Sequence, residues 1–253
     1  MLKKRIIPTL LLKEGRLYKG KNFSNYRDVG DPASVLKIYS NQYADELILI
    51  NIGSTEHDFN FLLKILSKAT ENCFIPITAG GGIDNLDKAK KLFNNGADKV
   101  LVTSEIASDI KILEKISLEY GRQAVIAGID ILENSNTFKI VKDKKRTELK
   151  IPIEKYVKEI DSVGAGEILF NFVNRDGMLK GLNIKLLNYL SKLTKTPTIC
   201  LGGIGNLLHM CDIFKNTSCD AIACSSVFHF GDNNPIRARS YLKNNGVNQR
   251  IIK

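Results

Sequence analysis

Two glycine runs and two hydroxyl pairs recur along this chain at nearly constant spacing. Gly81-Gly82 precedes Gly202-Gly203 by 121 residues, and Thr103-Ser104 precedes Ser225-Ser226 by 122. Glycine lets a backbone approach an anion closely, and a following helix offers free N–H groups and the positive end of its dipole. One Gly-Gly after a strand is explained as well by turn geometry. Four such patches in two related pairs point instead to two phosphate sites. Gly81, Gly82, Thr103 and Ser104 would build one, and Gly202, Gly203, Ser225 and Ser226 the other. The ligand implied is a phosphorylated small molecule with a phosphate at each end.

Carboxylates come next. Asp130 lies inside the apolar run Ala127-Gly-Ile-Asp-Ile131, a costly place for an unpaired acid. It reads as a general acid/base or as a capping acid. Asp176, in Asn174-Arg-Asp-Gly177, reads as a second catalytic acid or as a simple Asp-Gly turn. Arg5, Glu46, Lys99 and Glu167 each open a short apolar run. They read as a salt-bridge layer or as a gate. The three histidines are scattered, so no metal site is expected, and no cofactor motif is present. Five cysteines without a CxxC suggest free thiols that fill the core.

The elements that must position these residues alternate. Short β-branched and apolar runs at 5–11, 46–52, 75–79, 99–103, 124–130, 167–173, 197–201 and 221–225 read as strands covered on both faces. Helical patterns lie between them. Asp31-Pro32 opens one, Asp84 opens another that closes at Gly96, one ends near Gly121, one opens at Pro152, and the last ends at Gly246. Residues 134–150 look like an inserted hairpin with a charged turn. Eight strand–helix units in 253 residues fit a single (β/α)8 TIM barrel spanning residues 1–253. The rival open sheet lacks its GxGxxG fingerprint. Ile75–Ile83 recurs as Thr196–Ile204, so the barrel reads as a half-barrel internal duplication. In such a barrel the glycine, hydroxyl and carboxylate residues gather at the C-terminal mouth, and the charged quartet rings the N-terminal one.

Composition sets outer bounds. The 43% hydrophobic and 25% charged content is that of an ordinary globular protein. Net charge is +10, but it is spread along the chain, which favours a small anionic ligand over nucleic acid. The densest basic run, 142–146, reads as a turn. No apolar stretch reaches membrane-spanning length and the start lacks a signal-peptide pattern, so neither a membrane nor a nucleic-acid partner is expected and the cytoplasm is the expected location.

At these residues the sequence resembles the cyclase subunit of imidazole glycerol phosphate synthase over nearly its full length. The resemblance rests on Lys4-Arg-Ile-Ile-Pro8, Gly15-Arg16, Lys19-Gly20, Asn22-Phe23, Arg27-Asp28, Gly30-Asp-Pro32, Ala44-Asp-Glu46, Gly80-Gly-Gly-Ile83, Gly96-Ala-Asp-Lys-Val100, Gly164-Ala-Gly-Glu-Ile168, Arg175-Asp-Gly177, Gly202-Gly203 and Ser226-Val-Phe-His-Phe-Gly231. It implies a glutamine amidotransferase in which a glutaminase subunit docks on the N-terminal face. Ammonia would pass the gate of Arg5, Glu46, Lys99 and Glu167 and react at the opposite mouth with a bis-phosphorylated ribulosyl aminoimidazole carboxamide ribotide. It further implies that Asp98 is the docking acid, that Lys19 and Phe23 belong to a loop closing over substrate, and that Asp130 is one of two catalytic aspartates, with Asp176 auxiliary.

The departures cluster at the mouth. Leu11 stands where the family carries its other catalytic aspartate, and an isobutyl group cannot exchange a proton. Asn51, Asn171, Asn174, Met178, Leu201 and Thr103 also replace family residues, whereas the gate and docking face are unaltered. Two readings follow. The first is a divergent paralogue that relays ammonia to an ATP-dependent sugar amidotransferase in surface-polysaccharide synthesis. The alternative is a working cyclase in histidine biosynthesis with an altered acid/base arrangement.

Overall fold

The computed structural model describes residues 3–21, 23–134, 137–143, 145–229 and 231–249. Expectations that touch Met1, Leu2, Asn22, Ser135, Asn136, Lys144 and Phe230 lie outside the described residues. From the N-terminus the elements are β1 (Arg5–Lys13), β2 (Arg16–Lys21), β3 (Ser24–Gly30), α1 (Pro32–Asn41), β4 (Leu47–Asn51), α2 (Glu56–Ala69), β5 (Ile77–Gly80), α3 (Leu86–Asn94), β6 (Lys99–Val102) and α4 (Lys111–Tyr120). There follow β7 (Val125–Glu133), β8 (Phe138–Lys142), β9 (Thr147–Glu148), α5 (Ile153–Ser162), β10 (Glu167–Phe172), α6 (Ile184–Ser191), β11 (Thr198–Leu201), α7 (Leu207–Asn216), β12 (Ala221–Cys224), α8 (Ser226–His229) and α9 (Pro235–Asn244).

Eight of these strands close a parallel barrel in the order β1-β4-β5-β6-β7-β10-β11-β12, with β12 returning to β1. Every strand predicted from an apolar run is one of the eight. Alternation along each strand divides two cores. On β1, Ile6, Leu10 and Leu12 join the larger core between strands and helices, while Ile7 joins a smaller one inside the barrel. The inner core also holds Ile48, Leu101, Ile126, Leu169, Ile199, Leu201, Ala221 and Ala223. Both faces of each strand are therefore dry, which is why the runs read as continuously apolar. The five cysteines are buried and free.

Local signals set most helix ends. Asp31 caps α1 by accepting from Ser34 N at 2.9 Å, with Pro32 in the first turn. Gly96 and Gly246 follow α3 and α9 at φ 101° and 79°. One expectation is corrected. Asn85, not Asp84, caps α3, because the Asn85 side chain accepts from Lys88 N at 2.9 Å while Asp84 pairs with Lys88 Nζ at 2.8 Å. The hairpin predicted at 134–150 is present as β8 and β9, pairing back onto a lengthened β7. A second hairpin, β2–β3, was not expected from sequence; it folds antiparallel onto the end of β1. No helix among the described residues is long and apolar enough to cross a membrane.

Candidate active site

At the N-terminal end of the barrel the four charged residues meet as expected. Arg5 pairs with both Glu46 and Glu167. Lys99 Nζ reaches Glu46 Oε2 at 2.9 Å and Glu167 Oε1 at 2.5 Å. Two cations and two carboxylates thus alternate around a closed ring with no net charge. Burial would raise the Glu167 carboxyl, but Arg5 and Lys99 outweigh it and hold the group below the usual carboxylate range.

Asp98 sits beside this ring and is exposed, yet its Oδ2 accepts from Ile77 N at 2.8 Å. Asp45 does the same for Ile6 N at 2.9 Å and Asp220 for Thr198 N at 3.0 Å. These aspartates fasten the first residues of neighbouring strands. Asp98 therefore has a structural duty that its motif did not disclose.

At the C-terminal end a cavity of about 310 Å³ opens. Its lining joins Thr9 and Leu11 of β1, Lys19, Phe23 and Tyr26 of the β2–β3 hairpin, Gly81, Gly82, Thr103 and Ser104, and Asp130, Asn171, Asp176 and Ser225. The four residues expected to hold the first phosphate are thus brought to one cavity. Gly81 has φ 90°, and a Cβ there would lie 2.0 Å from Asn51 O; Gly82 at φ 76° faces open space. The second patch is not brought in as a unit. Ser225 lines the cavity, but Gly202 and Gly203 pack against the carbonyls of Phe172 and Gly181, and Ser226 opens the short α8.

Asp130 is almost fully buried. Desolvation pushes its carboxyl up to about 6, against the pull of a hydrogen bond from Asn171 Nδ2 to Asp130 Oδ1 at 2.7 Å. Barrel register identifies the opposite position. Asp130 pairs with Asn171 across β7–β10, as Leu11 pairs with Ile50 across β1–β4. Asn171 follows Ile50 by the 121-residue repeat, so Leu11 is the half-barrel counterpart of Asp130. One pole of the mouth is a carboxylate and an amide; the other is two aliphatic side chains.

The hairpin reaches over this cavity. Lys19 is 3% exposed and its Nζ lies 2.8 Å from Asp176 Oδ1. Gly177, at φ 71°, lets the hairpin seat, since a Cβ there would lie 2.4 Å from Gly20 O. His229, beneath the same region, is held down to about 4 by burial and by the nearby Lys19. Asp176 does not contact Asp130 in this arrangement; it anchors the lysine.

Residues 5–234 match a family described as "Histidine biosynthesis protein". "Imidazole glycerol phosphate synthase subunit HisF" of Flavobacterium johnsoniae is 38% identical over 253 residues, covering 99% of this chain and 100% of the relative. The proteins of that name from Campylobacter concisus and Clostridium botulinum are 36% identical over 248 residues (98% of each chain) and 33% identical over 253 (99% and 100%). The chain belongs to the HisF family.

Like Asn171, two other residues read from the sequence as departures from the family have local structural partners. Asn51 Oδ1 accepts from Gly53 N at 2.9 Å, and Asn174 donates to Glu133 O at 2.6 Å while accepting from Glu133 N at 3.2 Å. Glu133 in turn receives Arg175 Nε and Asn183 Nδ2 at 2.9 and 2.8 Å. Sequence reasoning missed Thr9 and Tyr26 in the cavity wall. Thr9 was findable, because it alternates with Arg5 and Ile7 on one strand. Tyr26 had no signal, since its place depends on the unforeseen hairpin.

Proposed function

We propose that this chain is the ammonia-using barrel subunit of an imidazole glycerol phosphate synthase, partnered by a glutaminase subunit on its N-terminal face. The observation that carries the reading is the pairing of two ends of one barrel. A closed ring of Arg5, Glu46, Lys99 and Glu167 stands at one, and a cavity around Asp130 at the other. Ammonia released outside the ring would pass it and move along the apolar interior. A small neutral molecule crosses such an interior at little cost, whereas a charged one does not. At the mouth it would attack the bis-phosphorylated ribotide, giving imidazole glycerol phosphate and aminoimidazole carboxamide ribotide.

In this reading Asp130 moves the protons of ring closure. With its carboxyl near 6 it is ionised at neutral pH yet basic enough to accept a proton. Gly81, Gly82, Thr103 and Ser104 hold one phosphate, and the other lies toward Gly202, Gly203, Ser225 and Ser226, of which Ser225 alone lines the cavity among the described residues. Lys19 and Phe23 cover the ligand, with Asp176 setting the position of Lys19. Asp98 helps seat the glutaminase. Support comes from the relatives, all named as subunits of that synthase.

A second reading keeps the ammonia relay and drops ring closure, passing ammonia to an ATP-dependent sugar amidotransferase. One observation favours it: Leu11 faces the cavity at the position equivalent in register to Asp130, where the resemblance implies a second acid. No relative cited above bears a name of that kind, so the order of the two readings taken from sequence alone is reversed here. The test is turnover of the ribotide by purified protein in excess ammonium salt, with wild type, Asp130→Asn and Leu11→Asp in parallel. Turnover in wild type that falls at least about 100-fold in Asp130→Asn supports the cyclase. No turnover in wild type, from folded protein, overturns it. A gain of about tenfold or more in Leu11→Asp would show that the missing acid limits the rate.

A further inference from the structure

One buried carboxylate at the mouth has no part in the chemistry proposed. Glu133, the last residue of β7, is 7% exposed. Four hydrogen bonds converge on it, all from the segment 174–183 that joins β10 to α6. Asn174 brackets its backbone, with Oδ1 accepting from Glu133 N and Nδ2 donating to Glu133 O. Arg175 Nε donates to Glu133 Oε2 at 2.9 Å and Asn183 Nδ2 to Oε1 at 2.8 Å. Asn183 is also the N-cap of α6, so both ends of the segment are tied to one residue.

Between those ties the segment supports two other parts of the mouth. Asp176 holds Lys19 Nζ, and Gly177 lies against Gly20 O, so the β2–β3 hairpin is seated on it. Gly181 N donates to Gly203 O at 2.7 Å, and a Cβ on Gly203 would lie 3.1 Å from Arg175 Cβ, so the Gly202–Gly203 turn is seated on it too. Leu179 lies between them at φ 60°, a conformation uncommon for a bulky residue, which persists only where the surroundings over-determine the backbone. Glu133 is the anchored end, because it belongs to a barrel strand and neither the hairpin nor the turn does. Arg175 and the Asn183 amide both donate to it, and a carboxylate accepts on both oxygens. A buried ion pair adds little stability over an apolar replacement, so what this acid supplies is orientation.

We propose that Glu133 is a positioning residue for the mouth: through Asn174 and Arg175 it sets Asp176, and with it Lys19 and the β2–β3 hairpin, together with the Gly202–Gly203 turn. Its effect on turnover rests on the reading of the chain as a ribotide-using subunit; its effect on the hairpin does not. One support thus serves both the hairpin that covers the ligand and the turn toward its second phosphate. Loosening that support weakens the hold on the ligand, while Asp130, earlier on β7 and bonded to Asn171, keeps its place.

The test uses the purified chain. Glu133→Gln keeps the shape but sets an N–H2 group against one of the two donors. Limited trypsin digestion, with fragments identified by mass, should cut the β2–β3 hairpin at Lys21 or Arg27 at least about threefold faster than in wild type, because local opening exposes the site. Asp176→Asn loosens the same hairpin directly. The double variant should be cut no faster than the faster single one, since residues acting along one path are not additive. In ammonium-driven turnover of the ribotide, Glu133→Gln should raise KM at least about fivefold, with the smaller effect on kcat, the split left by lost ligand binding. Arg175→Gln should repeat both effects and Arg175→Lys, which keeps the charge, should soften them; Arg175→Gln carries the test if Glu133→Gln does not fold. Unchanged hairpin cutting, effects that multiply in the double variant, or a loss confined to kcat overturns the proposal. No turnover in wild type with cutting as expected would remove the cyclase reading and leave this role standing; normal turnover with cutting unchanged would remove only the role.

Discussion

Replacing Asp130 by asparagine should make the protein more stable, and by an amount that depends on pH. Burial raises the Asp130 carboxyl from an ordinary 3.8 to about 6 in the folded protein. The native state therefore holds this proton more tightly than the unfolded chain. The stability it contributes is fully present below pH ~4 and is lost as pH rises through about 6. Two pKa units at about 1.4 kcal/mol each make the ionised carboxylate cost the native state about 3 kcal/mol at pH 8. At pH 4 the same linkage leaves only about 0.5 kcal/mol. Asparagine has the same shape, does not ionise, and still offers Asn171 Nδ2 an oxygen. Urea unfolding of wild type and Asp130→Asn between pH 4 and 8 should give a difference that grows between pH 4 and 6 and then levels off near 2–3 kcal/mol. The matching rise in thermal midpoint at pH 8 is about 5–10 °C. A difference that is flat across this range, or an asparagine variant less stable at pH 8, would refute the claim that burial dominates this site.

Gly177→Ala should displace the β2–β3 hairpin, since the new Cβ would lie 2.4 Å from Gly20 O at a φ of 71°; faster tryptic cleavage at Arg16, Lys21 or Arg27 reads this out, and unchanged cleavage would mean the seat yields elsewhere. Lys99→Met leaves Glu46 and Glu167 sharing only Arg5. It should cost about 1–3 kcal/mol at pH 7, below the range for a fully buried pair because the ring is partly solvated, and less once the pH falls below the usual carboxylate range, where Glu167 finally loses its charge; urea titrations at neutral and strongly acid pH test the sign. Asp98→Ala should lower stability by about 1 kcal/mol through the lost bond to Ile77 N, so glutaminase binding by this variant has to be compared with its unfolding curve. If binding falls while stability does not, the strand-fastening role is wrong.

The barrel was readable because its strands are dry on both faces and so short apolar runs mark all eight. Turn chemistry was readable where one residue decides it, as at Asp31-Pro32 and Gly96. Asp84 misled because two adjacent capping residues compete and only the backbone decides that Asn85 is the cap. The β2–β3 hairpin escaped because β3 is largely exposed and polar, with Ser24, Asn25, Arg27 and Asp28 all exposed and only Tyr26 turned to the cavity, and alternation says little when neither face is fully buried. The charged quartet could be placed at one end from strand starts alone. Lys19 pairing with Asp176, 157 residues away, could not, since no local pattern encodes a contact between a hairpin and a distant loop.

The duplicated frame explains how the mouth can change on one side without loss of the fold. Position 11 and position 130 are equivalent in register, yet one packs among aliphatic neighbours and the other needs an amide to be tolerated. Leucine at 11 adds apolar surface beside Ile50 and removes the cost of a second buried acid, so it is the more stable choice for the barrel. Asp130 is the less stable choice, and burial shifts its carboxyl toward neutrality. A residue that lowers stability and has a pKa moved toward working pH is the mark of a site kept for chemistry rather than for packing. The charged ring at the other end repeats the logic, because two buried carboxylates and two partly buried cations that cancel add little to stability compared with aliphatic replacements. Both ends of the barrel therefore carry groups that folding alone does not require, and any function assigned to this chain has to use the two together.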